Sequence, residues 1–308
     1  MKTVLASLAA VLLSFSGAAS ADPQPFSGQT QADPVKSGTA ASSAPLPEVM
    51  IEAQRAAIAR RVSTLLFHIT LKSFDAIALW RTPICPLVAG LSRDWGEFVL
   101  ARISEVAAAS GAPLAPKVCQ PNFYVVVTTA PEELLKTWYA HDYGMFGDAW
   151  PKTVREFIST PWPVRIWYNT ALAGADDDEF LSLDASFAYS QFNNIPANTH
   201  AHASRLRLNS VADLSSVVVV VDFTSLEGMQ LPQVADYIAM IGLTKLKLNA
   251  DLGDAPTILR LFTASAGDAP SGLSNWDQAF LRELYHTSHA SRGQLAEITH
   301  KVVSDVSP

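Results

Sequence analysis

The chain has 308 residues and a formal net charge of −7 at neutral pH, with 22 basic and 29 acidic side chains. This acidic balance disfavours binding to nucleic acid or to an anionic membrane surface, because both partners require basic patches.

The first 21 residues have the pattern of a secretory signal peptide. One lysine precedes a short apolar segment that runs from Val4 to about Phe15, and the small residues Ala19-Ser20-Ala21 follow. We expect cleavage after Ala21 and a periplasmic or secreted mature chain without a membrane span. Residues 22–47 are rich in Pro, Ser, Ala, Gly and Gln and are predicted to be a disordered linker. Residues 48–308 are predicted to form a single domain.

The domain is predicted to begin with a helix over residues 48–61 and a strand from Val62 to Leu71. The second stretch favours a strand because it is rich in β-branched and aromatic residues. His68 within it is expected to be an interior histidine that hydrogen-bonds to the backbone, and not a catalytic base.

Cys85 and Cys119 are the two cysteines of the chain and lie 34 positions apart. An isolated pair in an exported protein is most simply a disulfide. The alternative, a thiol nucleophile or metal ligand, would need a nearby histidine that the local sequence lacks.

Helices and strands are predicted to alternate after these first elements. Ser92 is a plausible N-cap for a helix that Gly111 ends. A buried strand is predicted at residues 122–129 and a second helix at residues 130–139. The buried stripe of the first helix would consist of Trp95, Val99, Ile103 and Val106.

The segment from Pro161 to Thr170 alternates in polarity and is predicted to be a strand. Arg165 and Trp167 would lie on one side of it and Tyr168 on the other. Together with Trp162, Arg165 and Trp167 form a candidate ligand groove, although packing between a sheet and a helix explains the same residues.

Four histidines are the candidates for an unusual metal site. His200 and His202 are two residues apart and would share one face of a strand, and His286 and His289 could share a helical face. His200 and His202 have no neighbouring cysteine or carboxylate motif, so a surface pair is the simpler interpretation there, and His286 and His289 share a face only if the helix continues to that point. The acidic run at residues 176–179 lacks the ligand spacing of a calcium loop. We therefore predict no metal and no cofactor.

Five consecutive valines, residues 217–221, predict a central strand that is buried on both faces. A helix is predicted to follow, with Pro232 as its first residue and Gly242 at its end. Its apolar face would contain Val234, Tyr237, Ile238 and Ile241. Two further helices are predicted from Ser274 and from Ser291.

The predicted helix resembles the active-site helix of the zincin metalloproteases, whose H-E-x-x-H is often followed by x-x-G-L. The matching frame is Ala235-Asp236-Tyr237-Ile238-Ala239-Met240-Ile241-Gly242-Leu243. The resemblance implies an α+β fold in which a mixed sheet is flanked by helices, with the helix after Ser92 as the backing helix. It also implies that Leu259 replaces the turn methionine.

The resemblance implies a lost active site, because both zinc-ligand positions hold alanine and only Asp236 retains a carboxylate. If the resemblance holds, Ala235 and Ala239 should face a cleft below the sheet edge. The alternative is structural: small residues at these positions would let the helix pack closely on the sheet, and alanines that point into the core would remove the resemblance. We therefore expect an exported non-catalytic protein on a degenerate zincin-like scaffold that binds a peptide or a cell-envelope partner. The alternatives are a metal-dependent hydrolase with histidine and aspartate ligands, and a structural or assembly protein of the envelope.

Overall fold

The computed structural model describes residues 48–73, 76–174, 208, 210–265, 267–289 and 291–307. Its α-helices are α1 (Glu48–Ile69), α2 (Arg93–Ser110), α3 (Pro131–His141), α4 (Pro151–Ser159), α5 (Leu231–Gly242), α6 (Asn275–His286) and α7 (Gln294–Val306). Its strands are β1 (Lys72–Ser73), β2 (Ala76–Ile77), β3 (Pro86–Ala89), β4 (Phe123–Thr128), β5 (Val164–Gly174) and β6 (Ser210–Asp222). Short 3-10 helices occupy Tyr143–Phe146, Phe223–Leu226 and Ile258–Arg260.

The four-stranded sheet has the order β3-β4-β6-β5. Strands β3, β4 and β6 are parallel, and β5 runs antiparallel to β6 at one edge. The valines of β6 alternate between two hydrophobic clusters: Val217, Val219 and Val221 pack into the larger one, and Val218 and Val220 into the smaller. The prediction of a central strand buried on both faces is confirmed.

Helices cover both faces of this sheet. Residues of α1, α2, α5, α6 and α7 form the larger cluster with one face, and residues of α3 and α4 form the smaller cluster with the other. The predicted α+β class, a mixed sheet flanked by helices, is therefore correct. No described helix is both long enough and apolar enough to cross a membrane.

The strand predicted from Val62 to Leu71 is wrong, because this stretch continues α1. Its composition favours a strand, but its apolar residues recur at helical spacing. The residues that this spacing buries are Val62, Leu65, Leu66 and Ile69. Phe67 points away from the core and is 73% exposed. His68 does bond to the backbone, with its Nδ1 2.9 Å from the carbonyl oxygen of Asp251, but it is only half-buried.

Most of the other predicted helices are present, with small corrections. Val99, Ile103 and Val106 are buried in α2 as predicted. Trp95 lies in the first turn of the helix and is 51% exposed. Gly111 ends α2 in the left-handed conformation, with φ of 82°. The last helix begins at Gln294, three residues after the predicted start.

The disulfide between Cys85 and Cys119 is present, as predicted. It joins the residue before β3 to the loop before β4, next to a second link through Asn122. The Asn122 side chain accepts a hydrogen bond from the Cys85 N–H at 2.7 Å and donates one to the carbonyl of Pro83 at 3.1 Å. Covalent and polar links therefore both hold the start of the parallel strand pair in register.

Candidate functional site: a groove along the edge strand

The two alanines of the zincin-like frame lie in the hydrophobic core. Ala235 and Ala239 are both fully buried, so the expectation that they face a cleft is wrong. Helix α5 packs against α2, and small side chains on a helix allow close packing of neighbouring elements. Alanine also carries no donor atom, so these positions do not fit a zinc ion.

Asp236, the remaining carboxylate of that frame, links three parts of the fold. It is 4% exposed, and one oxygen accepts a hydrogen bond from Arg102 Nε of α2 at 2.5 Å. The other oxygen accepts the N–H of Leu273, just before α6, at 2.9 Å. The bond to Asp236 raises the pKa of the Arg102 guanidinium. Since both oxygens have partners, Asp236 acts as a structural anchor and not as an exposed base.

The C-terminal end of α5 is satisfied by side chains from distant parts of the chain. Tyr168 Oη donates to the carbonyl of Ile241 at 2.8 Å, and Trp80 Nε1 donates to that of Gly242 at 2.8 Å. Tyr285 Oη donates to the carbonyl of residue 243 at 2.5 Å. Burial raises the pKa of both tyrosines, so both hydroxyls stay protonated as donors.

Gly242 is the last residue of α5, as the sequence predicted, and close packing explains why it is glycine. A Cβ atom at this position would lie 1.9 Å from Cζ of Phe123 in β4. The helix end can therefore contact the sheet only where a side chain is missing.

A groove of about 280 Å³ follows the outer edge of β5, and we call it the edge groove. Its walls come from four separate stretches: the end of α1, the end of α4, β5 itself and the segment after α5. The lining residues that matter most are Leu71, Phe157, Trp162, Arg165, Leu246 and Lys247. The groove is therefore assembled by tertiary packing and not by a contiguous motif.

The backbone of β5 turns N–H and C=O groups outward on the side away from β6. The Asp222 N–H donates to the carbonyl of Pro163 at 2.8 Å, so these two opposite residues form a hydrogen-bonded pair. The next pair along the strands, Val164 and Val221, is therefore not hydrogen-bonded. In an antiparallel pair, every second residue turns its N–H and C=O outward. These residues are Val164, Ile166 and Tyr168. No described strand pairs with this side of β5.

Arg165 is a buried cation with spare hydrogen-bonding capacity. It is 6% exposed, its Nε donates to the carbonyl of Thr160 at 2.7 Å, and its Nη1 has no hydrogen-bond partner among the described residues. Burial lowers the pKa of its guanidinium, and the charges of Asp222 and Glu132 oppose that effect. An unmet buried donor is costly, so an acceptor brought here by a ligand would be favourable.

The predicted groove residues separate into two groups. Trp162 and Arg165 line the edge groove. Trp167 instead packs behind it, with ring centroids 5.0 Å from Phe157 and 5.5 Å from Phe146, and its Nε1 donates to the carbonyl of Phe146. Trp162 and Arg165 therefore line a concavity, whereas Trp167 belongs to the packing of the sheet against the helices.

The candidate metal ligands do not converge where they are described. Helix α6 ends at His286, whose Nδ1 lies 2.7 Å from the carbonyl oxygen of Arg282. His289 lies beyond the helix and places Nε2 2.6 Å from Asp213 Oδ1. No group of three His, Cys, Asp or Glu residues in the described parts could hold a metal. His200 and His202, the acidic run, the signal peptide and the linker lie outside the described residues.

Two features of this region have no sequence signal. Asp213 and His289 are 76 positions apart in the chain, and Leu71 and Leu246, which both line the edge groove, are 175 positions apart. The sequence matches no protein-family model, and no curated protein or solved structure is significantly similar to it.

Proposed function

We propose that this chain is an exported, non-catalytic protein that binds an extended peptide segment along β5. The observation that carries the proposal is that the outer edge of β5 faces a groove and is paired by no strand in the described part of the chain. Extended peptides bind such edges as an additional strand: main-chain hydrogen bonds supply affinity and neighbouring pockets supply specificity.

The order of elements does not carry a zincin-like scaffold by itself. Elements α2, β4, β5, β6 and α5 follow in the order that the resemblance implies, but Ala235 and Ala239 lie in the core and not in a cleft. Alanine at these positions also offers no zinc ligand, which supports a role without metal at this helix. The disulfide between Cys85 and Cys119 is consistent with export to an oxidising compartment.

The lining of the edge groove indicates which peptides would bind. Leu71, Trp162 and Leu246 offer apolar surface for a hydrophobic side chain. Arg165, buried with an unmet donor, and exposed Lys247 favour an acidic side chain or a C-terminal carboxylate. We therefore expect segments that alternate acidic and apolar residues.

The test uses peptides selected from a random library on the mature protein, with affinities measured by fluorescence polarisation. Ile166→Pro removes an outward N–H without breaking the pairing with β6, which proline at an edge strand permits. Ile166→Ala removes the side chain but keeps that N–H and is the matched control. Loss of one main-chain hydrogen bond predicts affinity about tenfold weaker for the proline variant than for the alanine variant.

Two outcomes would contradict the proposal. The first is a selection that yields no peptide with saturable binding. The second is equal affinity of the Ile166→Pro and Ile166→Ala variants, since strand addition requires the N–H that only one of them retains. Circular dichroism of both variants establishes that each is folded before the comparison is made.

A further inference from the structure

A second concavity, of about 570 Å³, opens where the parallel strands β4 and β6 end, and we call it the carboxyl-end pocket. Its floor is formed by buried Val99, Val127, Val234 and Ile238. Its rim carries Trp95 and Phe223, which are 51% and 45% exposed. None of these residues belongs to the edge groove. The volume falls within the range of about 300 to 1,000 Å³ that is usual for small-molecule sites.

The position of this pocket in the topology favours a ligand site. Helices α2 and α5, which follow β3 and β6, pack on one face of the sheet, whereas α3, which follows β4, packs on the other. The connections therefore separate to opposite faces at the carboxyl end of β4. In open sheets with parallel strands, ligands bind in the crevice outside the carboxyl ends of the strands at such a point.

The chemistry of the lining selects among small molecules. Most of the surface is apolar, and Thr224 and Glu227 supply the polar groups. Among the described residues, the lining includes no lysine, arginine or histidine. The Thr224 hydroxyl and N–H both donate to Asp222 Oδ1, at 2.7 and 2.9 Å, so a second carboxylate lies beside the pocket. A ligand carboxylate would meet like charges here, whereas an ammonium group would meet opposite ones.

We propose that the carboxyl-end pocket binds one elongated apolar molecule that ends in an amine. The apolar chain lies on the valine and isoleucine floor between Trp95 and Phe223. The ammonium group lies beside Glu227 at the exposed end. This site is separate from the edge groove, so its occupancy does not depend on peptide binding to β5.

The experiment measures binding of N-phenyl-1-naphthylamine, a neutral fluorescent probe, to the mature protein. Dodecylamine, dodecanol and laurate then compete for the probe, each below its critical micelle concentration. We expect saturable probe binding. Dodecylamine should displace the probe at a concentration at least about fivefold lower than laurate, because one exposed charge pair changes affinity by about this factor. Glu227→Gln should reduce that ratio, because it removes the charge and keeps the shape.

Filling variants locate the site. Val99→Phe places a larger side chain on the floor of the pocket and should abolish probe binding. If this variant fails to fold, Leu91→Trp at the half-buried edge of the lining replaces it, with the same expected result. Ile166→Pro in the edge groove should leave probe binding unchanged. The proposal is overturned by absence of saturable probe binding, by folded filling variants that bind as the parent does, or by laurate competing as well as dodecylamine.

Discussion

The last carbonyl groups of α5 show how single side chains complete a buried helix end. An α-helix leaves its final carbonyls without partners inside the helix, and water cannot reach them here. Tyr168, Trp80 and Tyr285 donate instead, so each contributes a hydrogen bond that no other group near residues 241–243 supplies in the described part of the chain. A tyrosine can do this only while its hydroxyl is protonated.

Alkaline pH should therefore destabilise the fold. Burial raises the pKa of Tyr168, Tyr237 and Tyr285 above their ordinary value of 10.0. Below that value both folded and unfolded chains keep the protons, and stability is unaffected. As the pH rises above it, only the unfolded chain releases them, so the free energy of unfolding should fall by up to about 1.4 kcal/mol per pH unit for each tyrosine.

Urea unfolding between pH 8 and pH 11 measures this decline, with Tyr285→Phe as the control. The variant should be less stable at pH 8 by about 1 to 2 kcal/mol, because a buried carbonyl loses its donor. Its stability should then fall less steeply at high pH than that of the parent. Parallel curves for the two proteins would contradict the assignment of this effect to Tyr285.

At the scale of elements, α1 shows where composition misleads and spacing does not. The stretch from Val62 onward has strand-like residue types, yet Leu65, Leu66 and Ile69 recur with helical spacing and are all buried. Tertiary packing on the sheet decides the outcome, because intrinsic preferences are worth only fractions of a kcal/mol per residue. The valines of β6 were predictable because composition and burial agree there.

Two substitutions in α1 test this assignment. Leu66→Ala should lower the free energy of unfolding by about 2 to 5 kcal/mol, because it leaves a cavity in the main core. Phe67→Ala should change it by less than about 0.5 kcal/mol, since the ring is in solvent. Chemical denaturation of both variants gives the comparison. A larger loss at Phe67 than at Leu66 would contradict the helical register.

The candidate site was less predictable than the fold for a physical reason. Trp162 and Arg165 could be found because they flank or belong to one strand with a clear alternation. Their neighbours Phe157 and Leu246 reach the edge groove through tertiary packing, and no local pattern marks such a contact. The burial of Ala235 likewise depends on which face of α5 meets α2, because alanine suits both a core and a vacant ligand position.

At the scale of the whole molecule, the disulfide closes the unit formed by β3 and α2, just before β4 begins. Cys85 is buried and Cys119 is exposed, so the link fastens the core to a surface loop. The closed loop spans 34 positions. Since a cross-link of this kind restricts the unfolded chain, its effect belongs to the stability of the domain and not to one contact.

Replacing both cysteines by alanine should lower the free energy of unfolding by about 3 to 4 kcal/mol, as loop-closure entropy predicts for this length. Urea denaturation of the double variant and of the parent in the presence of dithiothreitol provides the measurement. The two samples should agree to within about 1 kcal/mol, because both lack the cross-link and differ only in small side chains. A double variant as stable as the oxidised parent would show that the link does not stabilise the fold.

The donors at the end of α5 also set the order in which the chain can fold. They lie 162, 73 and 42 positions from the carbonyls that they satisfy, so no local segment can complete this helix by itself. Closing such long loops costs conformational entropy before the contacts that stabilise the closed loop have formed. This cost slows folding. All three hydrogen bonds at the end of α5 can form only after the segment before β3, strand β5 and helix α6 have packed next to it. We therefore expect this helix end to form late in folding, together with the packing of the domain around it.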